Sequence, residues 1–180
     1  MENSWIRLVP AAPELANAVA DYYRRNREFL RDYEPGREEA FFTMAYQAAL
    51  LEKEAQERKA GTSARFYIQP AREPERIIGM IGLNNIIRGA FQSAFLGYKL
   101  DSAYCNRGYM TMAVAMMVEY AFQELRLHRI EANVMPRNRA SLRVLEKNGF
   151  ENEGLAKRYL QINGEWEDHI HMVIRNAAME

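Results

Sequence analysis

Three consecutive strand-like segments, bordered by helical segments on both sides, most restrict how this chain can fold. They run from Ala64 to Gln69, from Arg76 to Ile87 and from Ser93 to Leu100, and the turn-prone sequences PAREPE and RGAFQ separate them. Connections this short join antiparallel neighbours. The block therefore predicts an antiparallel meander, whose sheet must be covered by helices from elsewhere in the chain.

The segments around the meander supply those helices. Before it, the pattern predicts a strand from Trp5 to Val9, a helix that opens at Pro13 and continues to Leu30, and a helix from Arg37 to Lys59. After it, the pattern predicts a helix from Tyr109 to Leu125, a strand from Arg129 to Val134, a helix from Asn138 to Lys147, and a hairpin that turns at Asn163-Gly164. This order predicts an α/β fold with a mixed sheet and helices on both faces.

Composition excludes several classes of protein. The 24 Lys and Arg balance the 24 Asp and Glu, whereas a nucleic-acid binder needs a basic surplus. A hydrophobic content of 48% without a repeat or linker predicts one domain over residues 1–180. The single cysteine, Cys105, excludes an internal disulfide framework and a cysteine-cluster metal site. No signal-like or membrane-spanning apolar run is found, so we expect a soluble cytoplasmic protein, monomeric or homodimeric.

A loop that joins a strand directly to a helix is the first candidate site. Asn106, Arg107 and Gly108 precede the helix at Tyr109. A glycine there allows a tight turn, and the unpaired amides of the first helical turn attract an anion, with a cation beside them. The same loop is also compatible with a glycine that serves only the turn.

A second candidate lies further along the chain, in the sequence MPRNRASLRVLEKNGF. Asn138 stands at the start of a helix and Ser141 follows three residues later. An asparagine in this position is commonly a helix cap and nothing more. The combination with the upstream Arg-Gly loop and the short strand ending near Glu131 makes a functional interpretation the stronger one.

Four segments together resemble the GCN5-related N-acetyltransferase (GNAT) family and, within it, the RimJ/RimL-type protein N-terminal alanine acetyltransferases, with the greatest likeness to the RimJ type. These segments are IIGMIGLNNIIRGAFQSAFLGYKLD (77–101), NRGYMTMA (106–113), LHRIEANVMPRNRASLRVLEKNGFENEGLAKRYL (127–160) and INGEWEDHIHM (162–172). The resemblance implies a mostly antiparallel sheet that splays between its fourth and fifth strands, with acetyl-CoA lying in the gap.

The resemblance also implies which residues bind acetyl-CoA. The pantetheine arm would pair with the backbone at Lys99 and Leu100 and with the side chain of Asn138. The pyrophosphate would lie on the loop amides, which belong to Asn106, Arg107, Gly108, Tyr109, Met110 and Thr111. Three positions depart from the family pattern: Cys105 and Met110 replace its usual first and last loop residues, and Met112 replaces a common acidic residue.

The same resemblance implies a direct transfer mechanism. The amide of Leu100 would stabilise the oxyanion, and Ser141 would assist the departing thiolate, since Leu145 occupies the position where some relatives have a tyrosine. Glu131 is the acidic candidate for accepting the amine proton, and the alternative is an ion pair with Arg129 or Arg137. Glu165 and Glu167 are weaker candidates. Because the three histidines lack metal-ligand spacing, no metal site is expected.

Three functions remain open from the sequence. The first is acetylation of a protein N-terminal alanine, with a ribosomal protein as partner. The second is acetylation of a small amine such as a polyamine, an antibiotic or an aminoacyl-nucleotide. The third is a catalytically silent module that binds CoA. The segments Arg31 to Gly36 and Asn84 to Gln92 are expected to border the acceptor pocket.

Overall fold

Seven strands form one mixed sheet in a computed structural model that describes residues 1–180. In chain order the strands are β1 (Ile6–Pro10), β2 (Ala64–Pro70), β3 (Gly79–Ile87), β4 (Ser93–Leu100), β5 (Arg129–Val134), β6 (Glu151–Ile162) and β7 (Glu165–Arg175). Their order across the sheet is β1-β2-β3-β4-β5-β7-β6. The predicted meander is therefore confirmed as β2-β3-β4.

Five α-helices accompany the sheet. They are α1 (Ala16–Arg25), α2 (Arg27–Leu30), α3 (Met44–Ala60), α4 (Tyr109–Gln123) and α5 (Arg139–Lys147), and short 3-10 turns lie at Pro13–Leu15, Glu39–Phe42, Ser102–Tyr104 and Ala177–Met179. None of the helices is both long enough and apolar enough to cross a membrane.

The sheet opens between β4 and β5, the one pair of neighbouring strands that run parallel. Their pairing covers only Ser93 to Phe95 against Arg129 to Glu131. Beyond that point β4 continues to Leu100 and β5 to Val134 without pairing to each other, so a V-shaped gap separates them. The predicted splay between the fourth and fifth strands is confirmed.

Two hydrophobic cores cover the two faces of the sheet. Ala113, Val114 and Met117 of α4 pack on one face together with Leu142 and Leu145 of α5. Side chains of α1 and α3, including Val19, Tyr22 and Leu51, pack on the other face. Residues that alternate along a strand point to opposite faces, which is why Phe66 and Ile68 belong to the first core and Tyr67 to the second.

Two helix boundaries differ from the sequence prediction. The first predicted helix is interrupted at Asn26, whose side-chain amide donates to the Tyr22 carbonyl (3.0 Å) and whose oxygen accepts from the amide of Ser102 (3.0 Å). The second begins at Met44 rather than Arg37, because Thr43 caps it by accepting a hydrogen bond from the amide of Tyr46 (3.2 Å).

The terminal hairpin links the two halves of the sheet across the open gap. Its turn at Asn163 (φ 50°) and Gly164 (φ 87°) has the two positive φ angles that the sequence predicted. The Asn163 side chain donates a hydrogen bond to the carbonyl of Arg31, next to α2. Leu30 of α2 is buried against the half of the sheet that contains β1 to β4, so this contact forms a bridge between the halves.

Candidate active site

A cavity of about 470 Å³ follows the gap at the end of β4. Its walls come from four elements: the end of β4, the loop before α4, the first turns of α5, and the segment from α2 to Glu34. The residues that line it are Phe29, Leu30, Tyr33, Glu34, Tyr98, Lys99, Leu100, Cys105, Asn106, Gly108, Tyr109, Met110, Thr111, Asn138, Ala140, Ser141, Arg143, Val144 and Lys147. Most of the predicted site residues therefore meet in one cavity; Glu131 and Arg107 do not line it.

The loop before α4 and the first turn of α4 together present six free backbone amides in succession. Asn106 (φ 60°) and Gly108 (φ 81°) both adopt the left-handed conformation, which turns the chain sharply into the helix. None of the amides from Asn106 to Thr111 donates a hydrogen bond to a protein atom. Amides grouped in this way at the positive end of a helix form an anion site. The geometry thus suits the pyrophosphate that the sequence analysis assigned here.

The unusual loop residues leave these amides accessible. Met110 lines the cavity, but its side chain is buried in the core beneath α4 and does not extend into solvent over the loop. The thiol of Cys105 lies 3.6 Å from the carbonyl of Asp101. Burial raises the pKa of this thiol, and the negative charge of Asp101 raises it further. Cys105 is consequently a poor nucleophile.

Two cations that the sequence analysis did not single out also border the cavity. Arg143 and Lys147 of α5 line it and are exposed to solvent. Their spacing of four residues, which places two side chains on the same side of a helix, was the available signal. Arg107 instead stacks its guanidinium over the ring of Tyr104, at 5.6 Å from the centroid.

Asn138 caps α5 with only one end of its side chain. Its Oδ1 accepts a hydrogen bond from the amide of Ser141 at 3.1 Å. Its Nδ2 makes no hydrogen bond within the protein, and the residue lines the cavity. The amide group is therefore free to donate to a ligand while it caps the helix.

Ser141 forms a hydroxyl pair with Tyr98, a residue that the sequence analysis missed. The Oγ of Ser141 lies 2.8 Å from the hydroxyl of Tyr98, which also donates to the Ser141 carbonyl (3.2 Å). Burial raises the pKa of Tyr98 well above its ordinary value, and the contact with Ser141 offsets only part of this. Tyr98 therefore stays protonated and holds the serine hydroxyl in place.

The backbone direction at the end of β4 distinguishes Leu100 from Lys99. The amide of Asp101 donates to the carbonyl of Ile78 on the β3 side (2.6 Å). Backbone groups of successive residues alternate in direction, so those of Leu100 point into the gap and those of Lys99 point toward β3. The side chain of Lys99 lies on the face covered by α1 and α3, over the ring of Tyr23 (4.9 Å).

Glu131 lies outside the cavity in a network of hydrogen bonds. One of its oxygens accepts from Arg129 (2.5 Å), and the other lies 2.6 Å from Nδ1 of His171. Burial would raise the pKa of Glu131, but the hydrogen bonds from Arg129 and His171 outweigh it and lower the pKa. Arg137, the other partner considered, pairs instead with Glu167 (2.6 Å).

Comparison with known proteins identifies the family. The model of the acetyltransferase (GNAT) domain matches residues 6–151. The chain belongs to the GNAT acetyltransferase family. It is 45% identical to the "Probable N-acetyltransferase YjcK" of Bacillus subtilis (strain 168), over 86% of this chain and 85% of the relative.

Two solved structures of GNAT enzymes have the same fold. The ribosomal-protein-S5-alanine acetyltransferase from Vibrio fischeri superposes with a TM-score of 0.92 at 36% identity, over 100% of this chain and 97% of that one. Mycobacterium smegmatis RimJ in complex with CoA-disulfide superposes with a TM-score of 0.90 at 30% identity, over 97% of this chain and 83% of that one.

This chain is therefore a GNAT N-acetyltransferase that uses acetyl-CoA, and the cavity at the end of β4 offers groups suited to bind that molecule. Acetyl-CoA supplies a thioester whose acetyl group is transferred to an amine. The free amides of the loop before α4 offer donors to its phosphates, and Asn138 offers a free amide to its pantetheine arm. The gap between β4 and β5 admits an extended chain, because β4 has no strand partner there beyond Phe95.

Proposed function

We propose that this acetyltransferase modifies the α-amino group of a protein whose first residue is alanine, and that the acceptor is a ribosomal protein. The likeness to the Vibrio fischeri S5-alanine enzyme carries this proposal, because it extends over the whole chain at 36% identity. It therefore includes the segment 31–36, which borders the cavities at the open end of the gap. Of the segment 84–92, which was also expected to border the acceptor pocket, only Asn84 lines one of these cavities, because the rest lies at the paired end of β4.

The geometry is compatible with a peptide acceptor. Beyond their short pairing both β4 and β5 have a free edge in the gap, so the edge of β5 can pair with an extended peptide while acetyl-CoA lies along β4. Pairing of this kind holds the peptide through its main chain and places its first residue deepest. Specificity for a small first side chain then depends on the pocket walls around α2.

Each residue at the reaction centre has a proposed role. The amide of Leu100 stabilises the oxyanion, because it is fixed in position and directed at the gap. Ser141, held by Tyr98, donates a hydrogen bond to the departing thiolate. Glu131 accepts the amine proton through a water molecule, since it lies in the hydrogen-bond network outside the cavity and does not reach the amine directly.

A panel of acceptors tests the proposal, with release of CoA thiol as the readout and mass spectrometry to locate the acetyl group. One peptide starts with alanine and carries an internal lysine. A second has the same sequence with its N-terminus blocked. A third starts with a bulky residue, and spermidine represents the small amines. We expect acetylation of the first peptide at its α-amino group and little reaction with the others.

Two results would contradict the proposal. Efficient acetylation of spermidine, with none on the free N-terminus, would assign the enzyme to small amines. Binding of acetyl-CoA without thiol release for any acceptor would indicate a module that binds CoA and performs no transfer.

A further inference from the structure

The cavity of about 470 Å³ at the end of β4 is called the main cavity here. Glu34 is the only carboxylate among the residues that line it. It also lines two smaller cavities on the side of α1 and α3, of about 390 and 220 Å³. The larger of these shares Tyr98 and Lys99 with the main cavity, so the spaces adjoin at the end of β4. Glu34 thus lies where the site for acetyl-CoA meets the space on its acceptor side.

The carboxylate of Glu34 is closely paired on only one of its two oxygens. Its buried Oε1 forms an ion pair with the ammonium of Lys99 at 2.5 Å. Its Oε2 has only a long ion pair, with the guanidinium of Arg37 at 3.8 Å. A buried carboxylate normally accepts several hydrogen bonds. This one keeps Oε2 available as an acceptor.

The surroundings hold Glu34 in place without using that capacity. Lys99 supplies the counter-charge that allows a carboxylate to be enclosed. The guanidinium of Arg37 is 3.8 Å from the second oxygen and stacks over the ring of Phe41 (4.6 Å). On the other side of Glu34, the carbonyl of Arg31 accepts the hydrogen bond from the terminal hairpin. Contacts on both sides of Glu34 therefore place its carboxylate at the junction of the cavities.

We propose that Glu34 binds the protonated amine of the acceptor and positions its nitrogen beside the thioester. An α-amino group is mostly charged at neutral pH and brings three hydrogen-bond donors. Those donors match Oε2 of Glu34, which has no close donor of its own, and hydrogen bonds between charged groups are the strong ones. The ammonium of Lys99 also lies over the ring of Tyr23, 4.9 Å from its centroid, so it has a second contact besides Glu34. The inference rests on the proposed function only in requiring an amine acceptor.

The experiment compares two peptides on enzyme saturated with CoA, so that no transfer occurs during the measurement. One peptide starts with a free alanine. In the other a propionyl group replaces that alanine, which removes only the amine. Glu34→Gln should weaken binding of the first peptide by at least about tenfold, the effect of losing one charge-assisted hydrogen bond. It should leave the propionyl peptide within about twofold.

Asp32→Asn is the matched control, because Asp32 is an exposed acid in the same segment that lines none of these three cavities. It should change neither affinity. A far-UV circular dichroism spectrum and a thermal unfolding curve like those of the wild type show that Glu34→Gln is folded. If Glu34→Gln weakens binding of both peptides equally, or weakens binding of neither, the proposal is overturned.

A failure of the peptide acceptor is distinguishable from a failure of this inference. If the wild-type enzyme acetylates spermidine instead of the peptide, the same variants are compared for spermidine binding. If Glu34→Gln loses affinity for spermidine and Asp32→Asn does not, Glu34 is supported as the amine site even though the proposed acceptor is wrong. If neither variant loses affinity for spermidine, both the proposed acceptor and the role of Glu34 are overturned.

Discussion

The Asn138 side chain serves the helix and the cavity with different atoms. Its Oδ1 caps α5, whereas its Nδ2 is free at the cavity wall. A substitution that retains a capping oxygen but shortens the side chain therefore separates the two roles. Few positions in the chain allow stability and ligand binding to be tested so independently.

Asn138→Ser should retain most of the stability that Asn138→Ala loses, about 1 kcal/mol in the free energy of unfolding. Both variants should bind acetyl-CoA more weakly, because both lack Nδ2. Urea unfolding and calorimetric titration measure the two quantities. Full acetyl-CoA affinity in the serine variant would show that Asn138 is only a cap.

Ser141 and Tyr98 should behave as one unit in catalysis. Ser141→Ala should lower the maximal rate by about 10²-fold, near the lower end for a proton-transfer group, with acetyl-CoA affinity nearly intact. Tyr98→Phe should also lower the rate, because it releases the serine hydroxyl, and the double variant should add little. Tyr120→Phe, a hydroxyl on α4 outside the cavity, is the control for single-turnover measurements. Fully additive losses would show that the two hydroxyls act separately.

Glu131 makes stability depend on pH. Its pKa is lowered in the folded protein, so its stabilising contribution is present above the ordinary value of about 4.3 and is lost as pH falls through the folded pKa. Glu131→Gln should therefore cost about 1 to 3 kcal/mol in unfolding free energy at pH 7 and less at pH 3.5, where protonation of the unfolded state has begun to remove the contribution. Glu124→Gln, at an exposed acid, is the control variant. A loss of equal size at both pH values would contradict this assignment.

At the scale of elements, the junction of β4 and α4 depends on backbone conformation more than on side chains. Its amides are exposed because Asn106 and Gly108 are left-handed and because α4 begins immediately afterwards. The departures at Cys105 and Met110 alter side chains that point to Asp101 and into the core. The site therefore tolerates sequence changes that a motif search would count against it.

Replacing Gly108 with alanine tests this dependence. An alanine at φ 81° is strained by about 1 to 2 kcal/mol, although its Cβ would meet no protein atom within 4 Å. Gly61, which ends α3 at φ 73°, is equally free of neighbours, so Gly61→Ala carries similar strain away from the cavity. Both variants should lose similar stability, and only Gly108→Ala should weaken acetyl-CoA binding. Equal acetyl-CoA affinities in the two variants would place the phosphates elsewhere.

At the scale of the whole molecule, acetyl-CoA should tie the two halves of the sheet together. A ligand at 100 times its dissociation constant stabilises the folded state by about 2.7 kcal/mol. For a chain of 180 residues this corresponds to a rise in Tm of about 5 to 11 °C. Differential scanning calorimetry at two acetyl-CoA concentrations would detect it, and a Tm independent of concentration would contradict binding to the native fold.

Sequence alone predicted the features that local patterns determine. The meander, the Asn163-Gly164 turn, the helix cap at Asn138 and the glycine at the α4 junction follow from periodicity and turn chemistry over a few residues. The splay between β4 and β5 followed only from family resemblance, since nothing local indicates that a parallel pair ends after three residues.

The features that sequence missed depend on contacts between distant residues. Tyr98 meets Ser141 across 43 positions, and Asn26 interrupts its helix because it bonds to Ser102 across 76 positions. Glu34 acquires its significance from Lys99 and from three cavities that no local pattern describes. In the sequence alone, each of these residues looks like an ordinary polar or aromatic residue.

The contact between Asn163 and Arg31 has a consequence for the timing of the reaction. A single exposed hydrogen bond contributes about 1 kcal/mol, which leaves it broken in roughly one molecule in six at any moment. Loop segments open and close within nanoseconds to microseconds, whereas a typical enzyme turns over about ten times per second. Many thousands of openings therefore occur during each catalytic cycle. We expect entry of a protein N-terminus beneath the hairpin to reach equilibrium much faster than one catalytic turnover. The contact between Asn163 and Arg31 should therefore affect the affinity for the acceptor and not the maximal rate.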